Sequence, residues 1–175
     1  MGKLIPALAT LAASACSQAA TNQSANVAAP AAKAAQPAAA AHGVDDPRTF
    51  VAETYAAYRR SNSTPPPDLD HAHSPRLKAL FDAYEAAQTP DEVGSLDFDW
   101  WVNGQDWEIS EPALTETNQG PGRRTIVARF TNMGTPQLNR FGFVRENGRW
   151  YLDDVLNESG GEGWTLSALL RERPE

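Results

Sequence analysis

Two apolar, aromatic-rich runs meet at Asn147-Gly148 in the stretch RFGFVRENGRWYLDDV, residues 140–155. Asn-Gly is the dipeptide best suited to a two-residue type I′ hairpin turn, so the pattern predicts two antiparallel strands. With that turn, residues whose numbers sum to 295 face each other. One face then carries Phe141, Phe143, Arg145, Trp150, Leu152 and Asp154. The other carries Arg140, Gly142, Val144, Tyr151, Asp153 and Val155. The first face is the more hydrophobic, and it places Asp154 opposite Phe141. A carboxylate there must find a buried donor or a watered cavity, because an unpaired one costs several kcal/mol.

The rest of the pattern divides into helices, strands and a featureless leader. Asp46-Pro47 makes a helix start, an N-cap acid followed by proline in the first turn. Val51, Tyr55 and Tyr58, with Phe50, Thr54 and Ala57, recur at helical spacing up to Arg59-Arg60. Residues 61–73 read as a loop, since Pro65-Pro66-Pro67 excludes helix. Ser74-Pro75 caps a second helix whose Leu77, Leu80, Phe81 and Tyr84 form one apolar stripe. Strands are expected over residues 107–115, 123–131, 136–146 and 149–157, followed by a short helix over 164–171. Short connections imply an antiparallel meander. Two N-terminal helices, a four-stranded sheet and a terminal helix make the class α+β.

Ahead of this lies a different composition. Residues 1–15 combine Lys3 with an apolar run too short to span a bilayer, and end in Ala13-Ser14-Ala15 before Cys16. Small residues before a cysteine resemble the lipobox of bacterial lipoproteins, which makes Cys16 the expected lipidation site. Ala13 stands where that motif most often has leucine, and an ordinary A-x-A signal is the competing reading. Residues 16–43 are rich in alanine, with Pro30 and Pro37, and hold no large apolar residue beyond Val27. Such a segment cannot offset its ordering entropy and reads as a tether. Residues 44–175 form the single folded domain. Ser17, rather than an aspartate, follows the cysteine, and by resemblance this favours the outer membrane, facing the periplasm.

Charge and cysteine narrow the function classes. The 175-residue chain carries a formal charge of -7. Removal of residues 1–15 takes away only Lys3 and leaves about -8 (-7 minus 1). An acidic chain without a basic face argues against nucleic-acid binding. The single cysteine, Cys16, excludes an intramolecular disulfide and a cysteine-based zinc cluster.

Four motifs, DFDWWVNGQDW at residues 97–107, IVARF at 126–130, ENGRWYLDDV at 146–155 and WTLSALL at 164–170, resemble a bacterial domain-of-unknown-function family, number 3828. The resemblance covers about residues 48–172. It implies an exported or lipid-anchored envelope protein whose fold is similar to the cone of the nuclear-transport-factor-2-like superfamily, helices packed into a curved sheet. The family carries no established reaction.

Candidate chemistry is concentrated in acids and tryptophans. Asp97, Asp99, Asp106, Asp153 and Asp154 could converge at the open end of a cone, where desolvation and mutual repulsion raise one carboxyl for acid–base work. The structural alternative is that they close the fold as caps and ion pairs. Trp100, Trp101, Arg129 and Asp154 are the ligand-binding candidates, and Asp97, Asp99, Asp106 and Asp154 the catalytic ones. His71 and His73, two residues apart in the loop, are the only metal-like pair, and imidazole suits zinc. The ordinary alternative is a polar loop leading to a helix cap. No phosphate loop, G-x-S-x-G nucleophile or cofactor motif stands out. The expectation is a lipoprotein whose domain binds a protein or small-molecule partner. An isomerase or dehydratase using pocket aspartates is the first alternative, and a periplasmic immunity-type protein the second.

Overall fold

In a computed structural model the described residues are 42–66, 68–89, 94–161 and 163–172. The expected signal, Cys16 and the tether as far as residue 41 lie outside them; Gly43, expected in the tether, is instead buried and donates to His71 O at 2.7 Å. Helix α1 spans Pro47–Arg60, and Asp46 caps it by accepting from the Thr49 amide at 2.7 Å. Its face of Val51, Tyr55 and Tyr58 is buried as the spacing predicts. A 3₁₀ turn, Asp70–Ala72, interrupts the expected loop. Helix α2, Pro75–Ala87, is capped by Ser74, whose hydroxyl accepts from the Leu77 amide at 3.0 Å. Of its apolar stripe only Leu77 is fully buried, while Leu80, Phe81 and Tyr84 stay half-buried.

The sheet is an open antiparallel meander of five strands in sequence order: β1 Ala113–Asn118, β2 Arg123–Asn132, β3 Thr135–Glu146, β4 Arg149–Asn157 and β5 Trp164–Thr165. Helix α3 is the short Leu166–Leu169. The α+β class stands, with one strand more than expected. Residues 107–110 meet the sheet through an isolated Ile109–Asn132 bridge, flanked by the Ser110 amide bonded to Thr131 O and the Met133 amide bonded to Glu108 O, each at 3.0 Å. Pro112, without an N–H, interrupts continuation, and regular pairing starts at Ala113. Trp164 and Thr165 are strand rather than helix because they pair with Asn157 and Leu156.

The hairpin corrects the expected register in an instructive way. Asn147 and Gly148 both have positive φ, 49° and 83°, as a I′ turn requires. The pairs Glu146–Arg149, Arg145–Trp150, Val144–Tyr151 and Phe143–Leu152 keep the expected sum. A bulge at Asp153 then shifts the ladder by one, so Asp154 faces Gly142 and Val155 faces Phe141. Val155 is fully buried and both aspartates are half-buried, so the core face receives a valine where Asp154 was expected.

Three segments satisfy the free edge of β4 in turn. Val44 exchanges both backbone bonds with Trp150, at 2.7 and 2.9 Å. The Ser74 amide donates to Leu152 O at 2.7 Å, beside a parallel His73–Leu152 bridge. Beyond the bulge, β5 takes over. Phe141, Phe143, Ile126 and Leu152 pack with Tyr55, Leu77 and Leu166 in one core. Trp150 lies under Arg124, 4.6 Å away, and Arg145, 5.6 Å away, so two guanidinium groups meet one indole ring. Among the described residues no helix is long and apolar enough to cross a membrane.

Candidate functional site

A cleft of about 640 Å³ opens between the end of α1, the exposed side of α2 and residues 96–105. Its position follows from the elements. The half-covered stripe of α2 leaves Phe81 facing it, and the last turn of α1 brings Tyr58 to its wall.

Residues 99–104 form a tight turn that presents Asp99, Trp100 and Trp101. Asp99 and Gly104 exchange backbone bonds at 3.0 and 3.3 Å, and Asn103 sits at φ 53°. The Trp101 amide donates to Asp99 Oδ1 at 2.9 Å, an Asx turn that fixes the carboxylate. The turn is anchored from below. Trp101 O accepts from Tyr55 Oη at 2.9 Å and from Asn139 Nδ2 at 2.8 Å, and Asn157 Nδ2 donates to Asn139 Oδ1 at 2.7 Å. Asn139 and Asn157 are fully buried, and this network holds their polar atoms. Trp101 stacks on Phe141 with ring centres 4.6 Å apart, and Trp100 stacks on Trp101 at 5.1 Å. Trp101 is buried and Trp100 half-buried, as neighbouring residues in a turn require.

On the wall, Tyr58 Oη donates to Asp99 Oδ2 at 2.5 Å. Burial pushes the Asp99 carboxyl up from 3.8, against the opposing hydrogen bonds from Tyr58, Trp101 and Val102. The Tyr58 phenol is pushed far above its ordinary value by burial and by the Asp99 charge.

His73 lies on the floor. Its ring stacks on Phe81, centres 5.0 Å apart and 8° from parallel, with Trp100 at 6.3 Å. The side chain is only 5% exposed, and neither ring nitrogen has a hydrogen-bond partner. Asp70 Oδ1 comes within 3.4 Å of Nδ1 but outside hydrogen-bond geometry. Burial lowers the His73 pKa below 6.5, although Asp70 and Asp68 pull it back up while His71 and Lys78 push it down. The imidazole is therefore neutral at pH 7, with an unused donor and acceptor.

The sequence candidates divide sharply. Asp97, Asp99, Trp100, Trp101 and His73 line this cleft. Asp106 is exposed outside it, and only its carbonyl is engaged, by Asn132 Nδ2 at 3.2 Å. Arg129 is exposed on the outer face of the sheet, where it meets neither Asp154 nor the cleft. Asp154 accepts from Ser167 Oγ at 2.6 Å and from the Ser167 and Val155 amides at 3.0 and 2.9 Å. It borders a separate cleft of about 390 Å³ on the outer face, with Arg140 and Thr165. His71 turns from His73 to meet Phe50 edge-on, in another cleft with Gly43 and Arg149. Among the described residues no three histidine, cysteine, aspartate or glutamate side chains are grouped to hold a metal ion. Tyr58 and Phe81 were not singled out by sequence, because both lie on helical apolar stripes that read as core.

No family model, no curated protein and no solved structure matches this chain.

Proposed function

We propose that this chain is an exported lipoprotein whose folded domain binds a small organic ligand in the 640 Å³ cleft. The observation that carries the reading is His73. Two buried, unpartnered ring nitrogens cost stability, and polar groups left in that state mark sites where an external partner completes them. Stacked Phe81 and half-buried Trp100 supply the apolar body of such a site. Anchoring through Cys16 at the outer membrane, with the domain facing the periplasm, rests on the Ala13-Ser14-Ala15-Cys16 pattern. Membership of family 3828 and a cone-like curvature of the sheet belong to the same reading, supported by the α+β order and the quoted motifs.

A second reading, acid–base catalysis of the isomerase or dehydratase kind, is favoured by the Tyr58–Asp99 pair, 2.5 Å apart at the cleft wall. It needs Asp99 to give and take a proton. Titration of the full chain with a fragment set, followed by heteronuclear NMR, tests the binding reading. The expected shifts concentrate at the Trp100 indole and the His73 ring and vanish in His73→Phe. Shifts confined to the Arg140–Asp154 cleft would move the site to the outer face. Turnover lost in Asp99→Asn with binding retained would favour the enzyme.

A further inference from the structure

Among the described residues the carboxylates bordering the cleft are Asp68, Asp70, Glu85, Asp97 and Asp99, and no lysine or arginine lines it. Among the described residues Asp97 and Glu85 have no side-chain hydrogen bond or ion pair. Asp99 is already tied to Tyr58 and Trp101, and Asp68 accepts from the Asp70 amide at 2.8 Å. Several acids elsewhere are paired: Asp46 and Glu116 meet Arg124, and Glu158 meets Arg140. Unpaired acids also occur singly on the outer surface, Asp106 among them, but at the aromatic cleft five carboxylates border one cavity.

We infer that the cleft selects an organic cation, an ammonium group carried on an apolar or aromatic body. The inference rests on the reading of this cleft as a ligand site and names its ligand class. Three features converge on it. The carboxylates create a negative potential that draws cations and repels anions. The faces of Trp100 and Phe81 accept a cation through their ring quadrupoles, an attraction that strengthens on desolvation. The buried His73 imidazole, with neither ring nitrogen hydrogen-bonded, provides the independent sign of a ligand: a small turn of the ring toward the cleft would offer a nitrogen lone pair to an ammonium N–H. An anionic ligand would meet five carboxylates with no described lysine or arginine in the lining, and a neutral one would leave that charge unused.

The test uses the full chain near neutral pH and three probes of matched size: benzylammonium, benzyl alcohol and benzoate. Calorimetry and tryptophan fluorescence report affinity. Benzylammonium is expected to bind at least tenfold more tightly than benzyl alcohol, with benzoate weakest, and added salt should narrow the gap. Asp97→Asn and Glu85→Gln, both at exposed positions, should each weaken benzylammonium roughly three- to tenfold and leave benzyl alcohol unchanged. Asp106→Asn, equally acidic but outside the cleft, should change neither. Equal binding of the cation and the alcohol, or tighter binding of benzoate, would overturn the charge class while keeping the site. Failure of all three to bind up to their solubility limits would overturn the site itself.

Discussion

Ser74 Oγ donates to Asp153 Oδ1 at 2.7 Å while accepting from the Leu77 amide, so one hydroxyl joins the cap of α2 to the bulge of β4. Arg76 adds a bond to the same carboxylate oxygen at 3.0 Å. Burial alone would raise the Asp153 carboxyl, but the bonds from Arg76 and Ser74 and the charges of Arg76 and Arg123 outweigh it and hold it below 3.8. The stability it contributes is therefore present above about pH 4 and lost as pH falls through the depressed value. Asp154 makes the corresponding tie to Ser167 at the start of α3. Asp153→Ala and Asp154→Ala should each cost about 1–3 kcal/mol in urea unfolding, because each strands donors that are partly buried. Only Asp153→Ala should also weaken ligand binding, since Ser74 directly follows His73. Equal binding by the two variants would show that the α2 tether does not position the floor of the cleft.

This pair also marks where the sequence stops being legible. The helix caps at Asp46-Pro47 and Ser74-Pro75, and the turn at Asn147-Gly148, are local chemistry and stand as read. The bulge is not local. Nothing within Leu152-Asp153-Asp154-Val155 says which residue leaves the ladder, because the choice is made by Ser74 and Ser167, 79 and 13 residues away. The resulting one-residue shift swaps Asp154 for Val155 on the core face and removes Asp154 from the candidate site. Asp99 and Trp100-Trp101 were legible as a crowd of acid and indole in an irregular segment. Tyr58 was not, since a tyrosine on a buried helical stripe gives no sign of the carboxylate 41 residues away that it reaches.

Asp99 makes a prediction of opposite sign to Asp153. Its folded carboxyl holds a proton more tightly than the unfolded one, so its contribution is fully present below 3.8 and is lost as pH rises through the raised native value. At neutral pH the ionised, partly buried group is a cost. Asp99→Asn keeps an oxygen for the Trp101 amide and offers an N–H to Tyr58 Oη. The variant should match or exceed the wild type in stability at pH 7 and lose that advantage toward pH 4. Urea unfolding at both pH values decides this. A variant less stable at pH 7 than at pH 4, relative to wild type, would mean that the charge is needed for folding.

The proposed lipid anchor has a separate test. Acyl chains contribute about 0.8 kcal/mol per buried CH₂, so a doubly or triply acylated cysteine holds a protein on a membrane without a spanning helix. Wild-type protein expressed in bacteria should fractionate with membranes and incorporate a labelled fatty acid. Cys16→Ala should lose the label and leave the outer-membrane fraction. Retention of both label and membrane association in the variant would rule out Cys16 as the attachment point.

His73→Phe sets stability against function at one side chain. Phenylalanine fits a position already stacked on Phe81 and removes two buried nitrogens that no group satisfies. Each unsatisfied buried group costs about 1–3 kcal/mol, and the larger ring asks for some repacking in return. The variant should therefore melt higher than wild type, in the manner of functional residues kept at a cost to stability. The pH dependence separates this from simple cavity filling. Burial lowers the His73 pKa; the groups facing it are Asp68, Asp70, His71 and Lys78. Below pH 6.5 the unfolded chain takes up a proton that folded His73 refuses, so wild-type stability falls from 6.5 down to the depressed value. In His73→Phe that segment of the profile should flatten, and the gain in melting temperature should widen toward pH 5. Benzylammonium binding should fall in the same variant. A variant that melts lower than wild type at every pH would show that His73 is bonded in solution by a water or a neighbour, and would remove the observation on which the ligand site rests.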